Sequence, residues 1–170
     1  GITERWSIGN SANAGGAAHE LVCTYEDLDP APGKTRVISP PVNTSGLSAI
    51  SLNFKHRFDD YAPGVTLRIQ SSTDKVSWTN EAWSLASVSE ITVGPETVNT
   101  TITNNLNSAT TYIAFTIEGD LYQFYSWYID NVFLYDNASL TLTTNSADLI
   151  TSNSATCGGN IITDGGSPVT

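Results

Sequence analysis

Residues suited to sugar binding concentrate in one short segment, 119–125. Tyr122 and Tyr125 offer flat rings on which the C–H faces of a sugar can stack. Asp120 and Gln123 offer hydrogen-bonding groups for sugar hydroxyls. The segment joins two strand-like stretches, and loops of this kind frequently carry binding residues. We therefore expect a ligand site here.

Two more aromatic residues are candidate ligand contacts. Tyr61 lies in a polar, loop-like stretch, and Trp83 lies in a strand-like stretch. The alternative for an aromatic residue in a β-rich chain is burial in the core, which we predict for Trp78 and Trp127. The candidate ligand-binding residues are Tyr61, Trp83, Asp120, Tyr122, Gln123 and Tyr125.

Three aspartates are candidate calcium ligands, because Ca²⁺ prefers several oxygen ligands that include carboxylates. Asp130 interrupts an apolar strand, where an unpaired carboxylate is costly, so it needs a cation, a basic side chain or backbone donors. Asp59 and Asp60 end a strand, and their alternative role is an ordinary solvated turn. The sequence thus offers a structural Ca²⁺ as the candidate cofactor.

No arrangement of residues typical of catalysis is found in the sequence. His19 and His56 are the two histidines, and His56 shares an apolar face with Phe54 and Phe58. That position predicts a hydrogen-bonded core histidine rather than a general base. The nucleophile elbow, the H-E-x-x-H pair and the P-loop are all absent. We therefore predict no catalytic residues and no enzymatic activity.

Charge and composition restrict the class of partner. Seventeen acidic residues against seven basic ones give a net charge of −10, which disfavours binding to nucleic acid. No apolar run approaches the roughly 20 residues that cross a bilayer, so we expect no membrane insertion. Abundant Thr, Ser and Asn suit short strands joined by polar loops. With an opening that lacks a leader pattern, this composition predicts a mature or excised segment of a secreted or cell-surface protein.

Alternating apolar residues predict the strands that position these candidates. Between residues 49 and 58 the alternation places one apolar face toward a core. Residues on that face are Ile50, Leu52, Phe54, His56 and Phe58. Predicted strands cover 18–25, 35–39, 49–58, 65–71, 81–85, 97–102, 111–118 and 127–135. Many short strands separated by turn signals indicate a β-sandwich or barrel.

A domain boundary is predicted after Asp136, where the chain becomes rich in Thr, Ser and Asn. We assign residues 1–136 to one β-domain and residues 137–170 to a linker and a truncated second β-domain. About 30 residues cannot bury a domain core alone.

Six segments, taken in order, carry a family resemblance. They are Ala14–Gly16 with His19–Leu21, Thr35–Pro40, Leu52–His56, Gly64–Gln70, Asp74–Trp78 and Trp127–Val132. Together they resemble the MAM-like jelly-roll modules, of the choice-of-anchor J or cleaved-adhesin type, found in secreted proteins of Bacteroidetes-type bacteria. The tail, from Ser154 onward, is similar to the start of a fibronectin-III-like or Ig-like repeat.

The resemblance implies a jelly-roll β-sandwich of two antiparallel sheets. Family members generally have a strand before the position of Ile2, so a first strand is expected to be missing. We hypothesise that a neighbour's strand, or the tail around Leu140 and Leu142, fills that place. Related modules place calcium near Asp130, although this chain has Asp130-Asn131 where many members have two aspartates.

The expected function is that of a non-catalytic accessory module in a secreted or cell-surface multidomain protein. Its role would be adhesion or carbohydrate binding, with a polysaccharide or a glycoprotein glycan as the partner. One alternative is a structural spacer or filament building block, whose partners are neighbouring domains. Another is an ancillary domain of a secreted hydrolase. A sandwich hosts many functions, so the site must decide between them.

Overall fold

A computed structural model describes residues 5–136, 141–144, 151–154, 156 and 159–163. All regular secondary structure in these residues is β-strand. None of the described residues forms a helix long and apolar enough to span a bilayer. The strands are β1 (Trp6–Gly9), β2 (Glu20–Thr24), β3 (Pro32–Ile38), β4 (Ile50–Asp60), β5 (Val65–Ser72), β6 (Thr79–Ala86), β7 (Thr92–Ile102), β8 (Tyr112–Asp120), β9 (Phe124–Tyr135), β10 (Thr141–Thr144) and β11 (Gly159–Thr163).

The first nine strands form two antiparallel sheets. One sheet has the order β1-β2-β9-β4-β7, and the other has the order β3-β8-β5-β6. Consecutive strands alternate between sheets at several points, so β8 and β9 are neighbours in sequence but belong to different sheets. The fold is an all-β jelly-roll sandwich, as predicted.

The core lies between the two sheets and follows the predicted alternation. On β4, the five side chains predicted to face inward are each at most 3% exposed. The opposite sheet contributes the inward-facing residues of β5 and β8. These are Val65, Leu67, Ile69, Ile113, Phe115 and Ile117. Trp127, on β9, is completely buried, as predicted.

Strand ends differ from the prediction where the pattern is short or interrupted. β1 was not predicted, because four residues give too little periodicity. β7 begins at Thr92 rather than residue 97. Gly94 and Pro95 are turn-forming residues, so the sequence pattern gave no strand there. In the structure they coincide with a register shift opposite β4, where a proline without an N–H is tolerated. β9 begins at Phe124, three residues earlier than predicted.

The chain separates into two compact units, Gly1–Tyr135 and Asp136–Thr170. In the second unit, β10 pairs antiparallel with β11, and Leu142 lies opposite Ile161. Leu142 was one of the two tail residues considered for completing the sandwich, and its strand is paired within its own unit. Leu140 lies outside the described residues.

Candidate functional site

Four tyrosines surround a small pocket at one end of the sandwich. Tyr25, Tyr61, Tyr122 and Tyr125 form its walls, and Phe124 contributes a fully buried ring. The pocket has a volume of about 180 Å³. We call this feature the tyrosine pocket. It unites three of the predicted ligand residues, which are separated by up to 64 positions in the sequence.

Strand register brings the tyrosines together. β2 and β4 both pair with β9, one on each side of it. The last residue of β2 lies opposite Ser126, and the last residue of β4 lies opposite Phe124. Tyr25 and Tyr61 directly follow these two strands, so they flank the start of β9, where Tyr125 is the second residue.

Backbone hydrogen bonds fix the turn between β8 and β9 against the neighbouring loops. The Tyr61 N–H donates to the Gln123 carbonyl at 3.2 Å, and the Glu26 N–H donates to the Leu121 carbonyl at 2.8 Å. Leu121 itself is 1% exposed and anchors the turn in the core. The backbone positions of the pocket residues are therefore fixed by contacts within the protein.

Asp120 and Gln123 belong to this scaffold. Asp120 Oδ1 accepts from the backbone N–H of Ala31 at 2.8 Å and of Tyr122 at 3.2 Å. Gln123 Nε2 donates to Asp120 Oδ2 at 3.1 Å. These hydrogen bonds, led by that from Ala31, hold the pKa of Asp120 below its ordinary value. Asp120 thus remains a carboxylate that positions the Tyr122 backbone.

Two glycines let β5 approach this turn closely. Gly119 has φ +122°, and a Cβ there would collide with the carbonyl of Gly64. Gly64 has φ +155°, and a Cβ there would lie 2.8 Å from the Gln123 side chain. Both values lie in the region that favours glycine, so side chains at these positions would disturb the turn.

The pocket rings meet mostly edge to face. The centroids of Tyr61 and Tyr122 are 5.9 Å apart, those of Tyr61 and Tyr125 are 5.5 Å apart, and those of Tyr25 and Tyr122 are 6.2 Å apart. This geometry is favourable for aromatic pairs and limits ring rotation. Tyr125 is 51% exposed and Tyr25 is 43% exposed, so ring surface remains available to a ligand.

The Tyr122 hydroxyl is protonated at neutral pH. The neighbouring Tyr61 phenol, followed by burial and by the Asp29 and Asp27 carboxylates, raises the pKa of Tyr122. A protonated phenol both donates and accepts a hydrogen bond, as a sugar hydroxyl does. The pocket combines ring faces with such groups. Its volume is below the roughly 300 Å³ typical of drug-sized ligands, so it suits a single sugar ring.

Trp83 does not line the tyrosine pocket. Its ring stacks on that of Trp127 with centroids 6.1 Å apart and an interplanar angle of 15°. It also meets the edge of Phe54 at 5.3 Å. Trp83 faces the interior because it occupies the same side of β6 as the buried Glu81. Its position is that of a core residue.

The core assignment of Trp78 is wrong. Trp78 lies in the loop before β6, where its Nε1–H donates to the Lys75 carbonyl at 3.0 Å. Its ring is partly exposed, and the Arg36 guanidinium lies 5.1 Å from the ring centroid. A loop position outside the strand alternation explains why Trp78 escapes the core.

Asp60 is buried and fully used by the backbone. Its two carboxylate oxygens accept from the N–H groups of Val88 and Ile91, each at 2.7 Å. It is 3% exposed. Asp60 therefore ties the loop before β7 to the end of β4, and its occupied oxygens suit that structural task better than metal ligation.

Asp59 also has protein partners. It forms an ion pair with Arg57 at 2.8 Å and accepts hydrogen bonds from Thr92 and Ser126. Ser126, which lies opposite Asp59, is four residues from Asp130 along β9. Four residues of strand span about 13 Å. Asp59 and Asp130 are thus too far apart to ligate the same ion.

Asp130 retains one carboxylate oxygen for a further partner. Its Oδ1 accepts from the Asn131 N–H at 2.7 Å, while its Oδ2 is buried without a hydrogen-bond partner among the described residues. The Gly16 backbone packs against Oδ2, and Lys55 donates to the Gly15 carbonyl at 2.6 Å. Within the described ranges, no three His, Cys, Asp or Glu side chains cluster as metal ligands. Calcium would need most of its ligands from backbone carbonyls or water.

His56 is a core histidine, as predicted. It is completely buried, and its Nε2 lies 3.1 Å from Glu96 Oε1. Burial lowers its pKa, and the hydrogen bond to Glu96 only partly opposes that shift. His56 Nδ1 has no partner within the described part of the chain.

Tyr25 is the pocket residue that the sequence analysis missed as a ligand contact. It was assigned to the predicted strand 18–25, whereas the strand ends at Thr24. The polar, turn-rich loop that begins at Glu26 was the available signal, because a tyrosine next to such a loop is placed at the edge of a sheet.

No family model matches this chain, and no curated protein matches it. Solved structures match the sandwich. The carbohydrate-binding module TmCBM61, in complex with β-1,4-galactotriose, aligns with a TM-score of 0.52 and 13% identity over 79% of this chain and 84% of that one. A family 16 carbohydrate-binding module aligns with a TM-score of 0.45 and 12% identity over 78% and 86% of the two chains. The first match shows a shared jelly-roll fold.

Proposed function

We propose that this chain is a non-catalytic carbohydrate-binding module whose ligand contacts lie in the tyrosine pocket. The pocket itself carries the proposal. It presents four tyrosines with exposed ring surface and hydroxyl groups on a hydrogen-bonded scaffold. Such a site suits a neutral sugar ring, which needs both stacking and hydrogen bonds.

The fold supports a sugar as the ligand. TmCBM61 shares the sandwich architecture and binds β-1,4-galactotriose in its solved structure. At 13% identity the likeness carries the fold alone, so the ligand of this chain is argued from its own residues.

The state of the titratable residues supports a binding role over a hydrolytic one. His56 lies inside the core, and Asp60 is engaged by backbone donors. Asp120 holds the turn that carries Tyr122. A glycosidase needs two carboxylates free to act on either side of the scissile bond, and these residues serve the scaffold instead.

The wider role that we propose is attachment of a secreted or cell-surface protein to a polysaccharide or glycoprotein glycan. The MAM-like resemblance and the Thr-, Ser- and Asn-rich composition support it. A spacer or an ancillary domain of a hydrolase would not require a pocket with exposed tyrosine rings.

A structural Ca²⁺ ion remains part of the proposal, and it depends on Asp130. Oδ2 of Asp130, which has no hydrogen-bond partner among the described residues, is the carboxylate oxygen suited to a cation. Asp59 and Asp60 are excluded from the proposed site, because protein partners already occupy their oxygens.

The test is a glycan array that carries neutral plant, microbial and host oligosaccharides, including β-1,4-galactan fragments. We expect wild-type protein to bind a defined subset and Tyr122→Ala to lose that signal. Tyr135→Ala provides the matched control, because Tyr135 is 48% exposed at the far end of β9. Absence of binding to every glycan, or equal loss in both variants, would reject the tyrosine pocket as a sugar site.

A further inference from the structure

Positive charge is concentrated on one surface of this acidic protein. All seven Lys and Arg residues lie between residues 5 and 136, and four of them lie on the outer side of the sheet β3-β8-β5-β6 or in its β5–β6 loop. These are Lys34, Arg36, Arg68 and Lys75. Glu118 and Asp74 are the carboxylates interspersed among them in this part of the chain, and Asp120 lies at the end nearest the tyrosine pocket. We call this surface the basic face.

Two of the four cations form ion pairs within the face. Lys34 Nζ lies 2.7 Å from Glu118 Oε2, and Arg68 Nε lies 2.5 Å from Glu118 Oε1. One carboxylate thus serves two cations. The charge of Asp74 is directed inward to its own turn, where it accepts from the N–H groups of Val76 and Ser77.

The other two cations rest on aromatic rings. The Arg36 guanidinium lies 5.1 Å from the centroid of Trp78, and the Lys75 ammonium lies 4.4 Å from the centroid of Tyr112. Within the described residues, neither cation has a carboxylate within ion-pair distance. An aromatic partner attracts a cation without cancelling its charge. Arg36 and Lys75 therefore remain available to an anion.

Arg36 is held in a fixed orientation. Its Nε donates to Gln70 Oε1 at 2.7 Å, and Gln70 Nε2 donates in turn to Asn80 Oδ1 at 2.6 Å. Thr116 Oγ1 donates to the same Gln70 oxygen at 3.0 Å. With Nε fixed and one face on Trp78, the terminal nitrogens form a planar fork that matches a carboxylate.

The small number of free cations restricts the class of anion. DNA carries one charge per about 1.7 Å, and a molecule with a net charge of −10 would repel so dense a polyanion. A uronic acid polymer carries one carboxylate per sugar and also has hydroxyls that the exposed Asn80 can bind. The face therefore fits a sparsely charged, hydroxyl-rich chain.

We propose that the basic face is a second polysaccharide site, which binds a uronic acid chain through a carboxylate on Arg36. Lys75 attracts a second carboxylate along the chain. The site is independent of the tyrosine pocket, because the two share no residue. It extends the proposed function, from which it takes only the expectation that the ligand is a polysaccharide.

The test compares polygalacturonate with its fully methyl-esterified form, which has the same backbone without free carboxylates. We expect binding of the acid at low salt, weakening with added salt, and none of the ester. Arg36→Gln should reduce affinity roughly tenfold. Glu118→Gln releases Lys34 and Arg68 and should raise affinity roughly threefold. Lys55→Gln, with the same charge change on the other sheet, should have no effect.

Several outcomes would overturn the proposal. They are equal binding of acid and ester, no binding of the acid at low salt, or binding of dextran sulfate alone. Tyr122→Ala separates the two sites. If it abolishes binding of polygalacturonate while Arg36→Gln preserves it, the acid binds in the tyrosine pocket and the basic face is rejected. If Arg36→Gln acts and the neutral-glycan array is blank, the basic face stands and the pocket proposal fails.

Discussion

The tyrosine pocket and the tryptophan cluster of the core both consist of aromatic side chains, but the cluster is buried whereas the pocket keeps ring surface exposed. In the core cluster, Trp83 and Trp127 stack on each other beside Phe54 and His56. Trp127, Phe54 and His56 are completely buried. In the tyrosine pocket, the rings meet edge to face and keep between a third and a half of their surface exposed at Tyr25, Tyr61 and Tyr125.

The difference comes from position relative to the strand. Trp83 and Trp127 occur inside strands, where alternation assigns each side chain to the interior or the exterior. Tyr25, Tyr61 and Tyr122 occur just beyond strand ends, where alternation stops. An aromatic residue at such an end lies at the rim of the sandwich, where half of its ring can meet a ligand.

The largest effect on stability is expected from Trp83→Ala, which tests whether Trp83 is a core residue. Removing a stacked, half-buried ring should lower the free energy of unfolding by about 3 kcal/mol. Affinity for a glycan should remain unchanged in the folded protein. Chemical denaturation and binding at low temperature would check this. Intact stability with lost binding would make Trp83 a ligand residue after all.

Tyr122→Ala should show the reverse pattern. Loss of the central pocket ring should weaken glycan affinity about tenfold or more, while the free energy of unfolding falls by about 1 kcal/mol. Tyr122→Phe separates the ring from its hydroxyl and should give an intermediate affinity. Titration calorimetry with the best array ligand measures the affinity of both variants, and chemical denaturation measures their stability. A loss of stability as large as that of Trp83→Ala would erase the distinction between pocket and core.

The buried His56 gives the core cluster a pH-dependent stability. Its pKa is lowered from the ordinary 6.5 by burial, so the unfolded chain binds a proton more readily than the folded one. Stability should therefore fall as the pH drops below the ordinary value toward the lower, folded one. Melting temperatures from roughly pH 7.5 to pH 5 test this. His56→Gln should flatten the curve, and an equally steep curve would exclude His56 as the cause.

Calcium should have the smallest effect, through Asp130 alone. If an ion binds at the buried Oδ2, millimolar Ca²⁺ should raise the melting temperature by a few degrees. Asp130→Asn should abolish the increase, whereas Asp59→Asn should preserve it. A melting temperature that is identical with calcium and with a chelator would reject a calcium site at Asp130.

The sandwich was predictable from sequence because its signal is local. The inward face of β4, from Ile50 to Phe58, repeats every second residue over nine positions, and burial follows it. β1 has only four residues and left no comparable pattern. The start of β7 was hidden by Gly94 and Pro95, which signal a turn in sequence but form a register shift within the sheet.

The tyrosine pocket was predictable only in part, because it depends on strand order. The aromatic and polar composition of segment 119–125 was enough to predict a ligand site there. Tyr25 could join it only once β2 was known to pair with β9. The basic face was hidden for the same reason, since Arg36, Gln70 and Asn80 come from three different strands. A single sequence gives the period of a strand but not its neighbours.

Sugar binding among the four tyrosines is the claim that ring-selective NMR tests most directly. Protein with ¹³C-labelled tyrosine would be titrated with the oligosaccharide that the array identifies. We expect shifts in the ring signals of Tyr25, Tyr61, Tyr122 and Tyr125, while the signals of Tyr112 and Tyr135 stay unchanged. Shifts confined to Tyr112 would instead locate the neutral sugar on the basic face, and this result would contradict the claim.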